Sequence, residues 1–370
     1  MLQTHNAMNH GFVLVDDELF DAHQSESMHP ERPARLQAAR QAVAALDPSI
    51  PRRVLPARDA THEELARAHT EAYIQRIDQA AGLTGHFDAD TYYGESSVAA
   101  ARRAAGGSIA LVDQLMAGDA RLGVGLLRPP GHHATQDRAM GFCILNNAAV
   151  AACHARAKGL ERVAIVDWDV HHGNGTEAIF YSDPNVLYVS VHQAPFYPGT
   201  GAASDRGSGA GRGYTVNIPL SPGADRSVYT AAFERIVAPI VSEYAPELLL
   251  ISAGFDAHRQ DPLAAMRLDD TSYGILFEQL FAALPREAGG RSKPVGVGIL
   301  LEGGYHLDAL AGSLRSTLEA AVACTSGAGP ASRADRPELG SPSASHGLSP
   351  VHERELRQVA ELQRQHWLLG

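Results

Sequence analysis

Two carboxylates and a histidine alternate at the end of one apolar run. In VAIVDWDVH (163–171), the groups are Asp167, Asp169 and His171. Because side chains alternate on an extended chain, all three point the same way. Two carboxylates on one side of a buried strand repel each other unless a cation or hydrogen bonds compensate them. Carboxylate and imidazole together suit zinc, ferrous iron or cobalt, so a metal site is favoured over an aspartate that merely caps the following loop.

A third candidate ligand follows another apolar run, in ISAGFDAH (251–258), where Asp256 comes shortly after a glycine. Alone, an aspartate at a strand end fits a turn equally well. Beside the first motif, it supplies a third ligand at the same edge of a sheet. Three protein ligands leave a position open for water, which a catalytic metal site requires.

Two further motifs carry groups for proton transfer. In RPPGHHA (128–134), one of the adjacent His132 and His133 can act as general base while the other holds charge or donates a proton. Asp167 is the candidate partner of one ring. In LLEGGYH (300–306), Tyr305 can donate a phenolic hydrogen bond to an oxyanion. The alternatives are that the two histidines have a structural role and that the tyrosine packs at the surface. A catalytic role is favoured because each of these motifs, like the two before them, follows an apolar run.

Helical and extended patterns alternate from about residue 55 onward and must position these motifs. Predicted helices cover 61–77, 96–117, 147–158, 227–244 and 271–284, and the first begins with a capping box at Thr61. Predicted strands cover 162–169, 185–192, 247–254 and 294–304. This alternation predicts an α/β fold with an open, mostly parallel sheet, whose ligands bind at the carboxyl ends of the strands.

The C-terminal part of the chain changes in composition. Residues 324–350 are rich in Gly, Ser, Ala and Pro and predict a linker, which leaves 1–323 as the catalytic domain. Residues 351–370 return to helical periodicity, with an apolar stripe at Leu356, Val359, Leu362 and Trp367. We expect this helix to dock on the domain; the alternative is a contact in a homo-oligomer.

Composition narrows the class of partner. The net charge of −11 argues against direct nucleic-acid binding and suits a cationic amine or a lysine-bearing peptide. Three cysteines without metal-type spacing fit a reducing compartment. The sequence shows no secretory signal and no apolar run of about 20 residues, so we expect a cytoplasmic protein without a membrane partner.

The ordered motifs RPPGHH, GFCILNN, DWDVHHGNGT, SAGFDAHRQDPL and EGGY resemble those of the histone deacetylase superfamily, which includes acetylpolyamine amidohydrolases and acetoin-utilisation proteins. The resemblance runs from residue 29 to 313. It implies an arginase-like fold, with an open parallel sheet between helices and the site on long loops at the C-terminal strand ends. It also implies a hydrolase that removes acetyl or other short acyl groups from acetyl-lysine or acetylated polyamines.

The same resemblance implies roles for individual residues. One zinc would be held by Asp169, His171 and Asp256, and His133 would be the general base. Asp167 would be the partner of His132, and Asn174 would orient His133, as in the class II branch. Tyr305 would polarise the acetyl carbonyl. The expected substrate contacts are Gly141, Phe142, Tyr197, Leu263 and the rim acid Asp90, for which Asp88 is an alternative.

Monovalent ions, usually potassium, belong to the implied family pattern. The first would be bound by Asp167, Asp169, His171, Ser190 and Val191, partly through backbone carbonyls. A second would lie near Phe180, Asp183, Val186 and Tyr214. Leu263 takes a place where one polyamine-preferring branch has Glu, so that selectivity device is missing.

Two competing functions stay open. A binuclear manganese hydrolase of the arginase type shares the fold, but Asn174 and His258 occupy places where such enzymes have Asp. A non-catalytic scaffold that binds acylated ligands would be favoured by loss of a metal ligand or of Tyr305, and the sequence retains all of them.

Overall fold

Parallel strands and their connecting helices make up most of the described chain, which comprises residues 11–25, 28–285, 294–326 and 348–370 of a computed structural model. The strands are β1 Phe12–Val15, β2 Arg52–Leu55, β3 Gly85–His86, β4 Tyr92–Tyr93, β5 Leu122–Gly125, β6 Val163–Asp167, β7 Val186–Gln193, β8 Thr215–Leu220, β9 Leu248–Ala253 and β10 Gly296–Leu301. The helices are α1 Ala34–Ala44, α2 His62–Ala66, α3 Glu71–Gln79, α4 Ser97–Met116, α5 Asn147–Ala157, α6 Asn174–Phe180, α7 Arg226–Ala232, α8 Ala238–Tyr244, α9 Asp270–Ala282, α10 Leu307–Thr325 and α11 Pro350–Gln363.

The main sheet has eight strands in the order β2-β1-β5-β10-β9-β6-β7-β8, and every neighbouring pair is parallel. Helix α4 packs on α5, while α10 packs on both α1 and α9. With helices against the sheet, its inner strands are fully buried, which is why they read as continuous apolar runs. The predicted α/β class with an open parallel sheet is confirmed.

The four central strands β5, β10, β9 and β6 lead into the four chemical motifs. The histidine pair follows β5, and Tyr305 follows β10. Asp256 follows β9, and the alternating acids and histidine lie at the end of β6. Because parallel strands present their carboxyl ends at one edge, these loops meet there.

The structure divides two of the predicted helices. The capping box at Thr61 is confirmed, but the helix expected over 61–77 is α2 and α3, and the side chain of Thr70 caps α3 by accepting from the Tyr73 amide. The helix expected over 227–244 contains a π-helical turn, Phe233–Val237, between α7 and α8. The sequence patterns predicted neither the strands β1, β2, β3, β4 and β8 nor the helices α1, α6 and α10.

The C-terminal residues lie against the end of the sheet. Helix α10 continues to Thr325, two residues beyond the predicted domain end, and residues 327–347 of the expected linker lie outside the described residues. Helix α11 packs on β8 and buries Leu356 and Val359, and Trp367, which follows the helix, is buried as well. The Trp367 indole donates to the Gly213 carbonyl over 2.9 Å. Within the described ranges, no helix has the length and apolarity needed to cross a membrane.

Candidate active site

Asp169, His171 and Asp256 form a buried cluster whose potential ligand atoms all lie within 4.8 Å of one another. His171 Nδ1 is 3.1 Å from Asp169 Oδ1 and 3.2 Å from Asp256 Oδ2. The cluster spans neighbouring strands, because Asp169 and His171 follow β6 and Asp256 follows β9. The sheet thus brings together the three residues that the sequence predicted as zinc ligands.

Backbone amides hold both carboxylates in place. Asp169 accepts from the amides of His171 over 2.9 Å and Gly303 over 2.8 Å, and Asp256 accepts from Val170 over 2.8 Å. A Cβ atom on Gly303 would stand 2.1 Å from Asp256 Oδ2 and 2.5 Å from Asp169 Oδ2. The glycine after β10 is therefore required for this close approach of backbone and carboxylates.

The charges of this cluster are not balanced by hydrogen bonds alone. Asp256 Oδ2 is buried and accepts no hydrogen bond from the described residues, although His171 Nδ1 is 3.2 Å away. Burial, and secondly repulsion by Asp169, raise the pKa of Asp256 to about 7. A cation would relieve both effects, and two carboxylates with one imidazole are a donor set that suits zinc. The residues present therefore fit a metal ion.

A second group of possible ligand atoms belongs to His132, Cys143 and Glu302, all buried. Both oxygens of Glu302 already accept hydrogen bonds. Oε2 accepts from the amides of Gly131 at 2.6 Å and His132 at 3.2 Å, and Oε1 accepts from the Ser252 hydroxyl at 3.3 Å. Glu302 therefore holds the Pro-Gly turn that carries the histidines, a role the sequence predictions missed although it directly precedes the two glycines of EGGY.

The two adjacent histidines have different partners. His132 donates from Nδ1 to Asp167 Oδ2 over 3.0 Å, and the Tyr188 hydroxyl donates to the same oxygen over 3.1 Å. His133 donates from Nδ1 to Asn174 Oδ1 over 2.8 Å. Both rings are buried, and their centroids are 4.0 Å apart. With Nδ1 protonated in each ring, Nε2 is the nitrogen left for proton exchange.

These surroundings separate the pKa values of the pair. Burial opposes the charge on His132, but Asp169 and Asp167 outweigh it and raise the pKa of His132 to about 10. Burial, followed by repulsion from His132 and His171, lowers the pKa of His133 well below 6.5. His133 is therefore a neutral imidazole near pH 7, whereas His132 carries charge. A cation at Asp169 would weaken the attraction by which Asp169 raises the pKa of His132.

Tyr305 lies at the same edge, after β10. Its ring meets that of Phe142 edge-on at 5.8 Å, and the Arg35 guanidinium carbon lies 4.9 Å from the centroid of the tyrosine ring. Burial raises the pKa of Tyr305 well above 10, so its phenol stays protonated. The hydroxyl makes no hydrogen bond to any described residue, which leaves its proton for a ligand.

Aromatic rings surround the histidines. The Tyr197 ring is perpendicular to that of His133 at 5.2 Å, and Phe196 stacks on His171 at 5.2 Å. Gly141 has a φ of +56°, and a Cβ atom there would lie 2.4 Å from the His133 ring and 3.0 Å from the Tyr197 hydroxyl. The predicted residues Gly141, Phe142 and Tyr197 thus lie together beside the histidine pair.

The two rim acids have unequal environments. Asp88 Oδ1 accepts from the amides of Asp90 at 3.2 Å and Thr91 at 2.8 Å, so it already caps a turn. Burial, and then the contact with Asp88, raise the pKa of Asp90. The Thr91 hydroxyl accepts from the Phe142 amide over 3.1 Å and connects this turn to the aromatic wall. This geometry leaves Asp90 as the better candidate for a ligand contact.

The residues expected at the first monovalent ion lie around the ends of β6 and β7: Asp167, Asp169, His171, Ser190 and Val191. In that group, Asp167 and Ser190 are register partners, and the Ser190 hydroxyl is 2.9 Å from His192 Nδ1. Those expected at the second ion lie around the beginning of β7: Phe180, Asp183, Val186 and Tyr214. The Tyr214 carbonyl already accepts from the Tyr188 amide over 2.8 Å.

Buried charges behind Tyr305 were absent from the sequence predictions. Glu31 is fully buried and accepts from Arg128 Nη2 over 2.7 Å and Arg35 Nη1 over 3.1 Å. Arg35 Nε also donates to the Gly304 carbonyl over 2.6 Å. Glu31 and Arg35 both occur in the segment HPERPARL, but only folding brings them into contact with Arg128 and the loop of Tyr305.

Comparison with known proteins adds the following similarities. Residues 29–321 match the family model described as "Histone deacetylase domain". Histone deacetylase 15 of Arabidopsis thaliana is 43% identical over 299 residues, which cover 79% of this chain and 52% of that protein. The histone deacetylase-like amidohydrolase of Pseudomonas aeruginosa is 43% identical over 251 residues, 66% of this chain and 64% of that protein. A structure titled "Crystal Structure of HDA15 HD domain" superposes with a TM-score of 0.83 at 36% identity, covering 96% of both chains.

Proposed function

Since the chain belongs to the histone deacetylase family, we propose that it removes acetyl or other short acyl groups from amines at a single zinc ion. The substrates would be acetyl-lysine side chains or acetylated polyamines, and the products a short acid and a free amine. The observation that carries this proposal is the buried convergence of Asp169, His171 and Asp256, at the sheet edge whose loops also carry His133 and Tyr305.

The metal would be held by Asp169, His171 and Asp256. Zinc bound there would supply Lewis-acid polarisation of the amide carbonyl and of the attacking water. The buried Asp256 Oδ2 without a hydrogen bond supports this assignment, because a buried carboxylate oxygen ordinarily has a partner.

The remaining chemistry belongs to the chain's own residues. His133 Nε2 takes a proton from water while the water oxygen bonds to the carbonyl carbon, and the Tyr305 hydroxyl donates to the resulting oxyanion. His132, kept charged by Asp167, adds positive charge beside that oxyanion. When the C–N bond breaks, the proton on His133 passes to the departing amine nitrogen.

Replacing Tyr305 with Phe tests the proposal. Loss of one oxyanion donor should lower kcat by about 10²–10³ while zinc content, measured by mass spectrometry of the purified protein, stays at one per chain. The matched control is Tyr244→Phe, which removes a buried hydroxyl whose neighbouring titratable groups, Asp183, Tyr214 and Arg162, belong to none of the four motifs. Unchanged turnover of acetylated amines by the Tyr305 variant would refute the role given to this residue.

The count of one metal distinguishes the proposal from a binuclear manganese hydrolase. His258 Nε2 is 3.1 Å from Asp270 Oδ1, and the Asn174 oxygen accepts from His133. His258 does not join the cluster of three ligands, and the Asn174 oxygen is engaged by the hydrogen bond from His133. These contacts support one ion, and two manganese ions per active chain would favour the rival.

Substrate and monovalent ion require separate assays. A panel of acetyl-lysine peptides, acetylputrescine and acetylspermidine would rank the amines, and the net charge of −11 favours cationic ones. We place potassium beside β6 and β7, where Asp167 and Ser190 are adjacent. Activity that is identical in potassium-free and potassium-containing buffers, with no potassium retained on dialysis, would contradict this placement.

A further inference from the structure

We propose that Asp261 is a positioning residue that sets the location of Tyr305 through the backbone. Asp261 belongs to the DPL segment, in which only Leu263 was predicted to have a role. The inference rests on the proposed function, because it presumes that Tyr305 donates to the oxyanion.

One buried carboxylate joins two loops. Asp261 is 6% exposed, and its Oδ2 accepts from the Tyr305 amide over 2.6 Å and from the His306 amide over 3.3 Å. Its Oδ1 accepts from the Leu263 amide over 3.0 Å. The same side chain therefore fixes the turn of Leu263 and the loop of Tyr305, which are separated by about 40 residues in sequence.

The other hydrogen bonds of the Tyr305 loop are made by the residues before it, such as Gly303, whose amide donates to Asp169 and whose carbonyl accepts from the Phe255 amide. The loop lies between the end of β10 at Leu301 and the start of α10 at Leu307, and Gly304 within it has a φ of +116°. Arg35 contacts this loop from another direction, through its bond to the Gly304 carbonyl and its position over the Tyr305 ring. The carboxylate of Asp261 is the group that accepts from the amide of Tyr305 itself. Because a hydrogen bond to a carboxylate is short and strong, this contact determines the backbone position from which the Tyr305 side chain extends.

The position of an oxyanion donor has a large effect on turnover. A displacement of about 1 Å can cost about 10²-fold in rate, even when the altered residue is remote from the reacting atoms. Asp261 has no place among the three ligands and makes no hydrogen bond to the histidine pair. The charge of Asp261 also adds to the repulsion that raises the pKa of Asp256. An influence through that ligand would persist in the Tyr305→Phe background, whereas an influence through the Tyr305 backbone would not.

A double-mutant cycle between Asp261→Asn and Tyr305→Phe tests this inference. Asparagine has nearly the same shape but replaces one acceptor oxygen with a donor, which cannot accept from a backbone amide. We expect kcat to fall by at least about tenfold in the single Asp261 variant, with zinc content unchanged. In the Tyr305→Phe background, the same change should lower kcat less than about twofold, because the hydroxyl that Asp261 positions is already absent.

The control is Asp225→Asn. Asp225 also accepts from two backbone amides, at the start of α7, but it contacts none of the catalytic side chains on the four motif loops. This variant should keep wild-type kcat in both backgrounds. If Asp261→Asn does not yield folded protein, Asp261→Glu, which retains the charge but displaces it, replaces it in the same cycle.

Two results would overturn the inference. One is a kcat for the Asp261 variant equal to that of the wild type. The other is an equal fold-loss in both backgrounds, which would mean that Asp261 acts independently of Tyr305. Failure of the proposed function is distinguishable, because Tyr305→Phe alone would then leave turnover intact.

Discussion

Asn174→Asp should change the pH dependence of catalysis by charging the partner of His133. In the structure, the neutral amide oxygen of Asn174 accepts from His133 Nδ1 over 2.8 Å. The amide nitrogen of Asn174 lies 3.4 Å from Met140 Sδ, which fixes the orientation of the amide. A carboxylate at this position would keep the hydrogen bond and add a full negative charge.

The size of the effect follows from the distance. An opposite charge within about 4–6 Å shifts a pKa by about 1–3 units, equivalent to about 1.4–4 kcal/mol. In the wild type, burial, His132 and His171 hold the pKa of His133 well below 6.5. The added carboxylate opposes these effects and raises the pKa. Since the general base must be neutral, the variant should lose activity progressively as the pH falls, whereas at pH 8 the two proteins should differ much less.

The assay is the pH profile of kcat/KM for one acetylated amine, with zinc content measured at each pH. The acid limb of Asn174→Asp should lie about 1–3 pH units above that of the wild type. Gln136→Glu is the charge control, because Gln136 is exposed and solvent would screen its new carboxylate. An acid limb that coincides with the wild type, in a variant that retains zinc and turnover, would refute the base assignment of His133.

Two further predictions concern the buried charges and the rim. Glu31→Gln should lower the free energy of unfolding at pH 7 by about 3–5 kcal/mol, because it leaves Arg128 and Arg35 without their buried carboxylate. Arg128 outweighs burial and holds the pKa of Glu31 well below 4.5, so the difference in urea unfolding should be constant above about pH 5 and shrink as the pH falls further. Asp90→Asn should raise KM for a cationic acetylated amine by up to about fivefold at low salt, and much less for a neutral one. Asp88→Asn is its control, and an equal effect of both changes would contradict the choice of Asp90.

The sequence was sufficient for the parts of the site that depend on strand order. Apolar runs followed by polar residues predicted that Asp169, Asp256 and Tyr305 lie at one edge of the sheet, and they do, since parallel strands bring such residues together. Short, continuous apolar runs indicated the fully buried strands β6 and β9. The fold class followed from the same alternation.

Other contacts could not be predicted because they join distant segments through side chains without periodicity. Asp261 meets the Tyr305 amide across 44 residues, and Glu31 meets Arg128 across 97. Nothing local distinguishes these acids from exposed ones. The break between α2 and α3 was missed for a different reason: helical spacing continues through Thr70, but its side chain caps a new helix start.

Removing the metal should show how far the fold depends on it. In the cluster without a cation, burial and Asp169 raise the pKa of Asp256 to about 7, and the neighbouring carboxylates raise that of His171 to about 10 against the effect of burial. Between its unfolded and folded pKa values, a group with a raised pKa binds its proton in the folded state and loses it in the unfolded state. Both groups therefore make the free energy of unfolding fall as the pH rises. The window is about pH 4 to 7 for Asp256 and about pH 6.5 to 10 for His171.

Chelator-treated protein should therefore unfold at a lower temperature at pH 8 than at pH 6, while zinc, added back in excess, should raise the melting temperature most at the higher pH. Zinc competes with protons for these ligands, so the metal-bound protein should lose the pH dependence of stability that Asp256 and His171 impose. Differential scanning calorimetry across this pH range, with and without zinc, measures both effects. Melting temperatures of the metal-free protein that do not fall between pH 6 and 8 would mean that hydrogen bonds alone compensate the cluster, and the argument for a cation from Asp256 would fail.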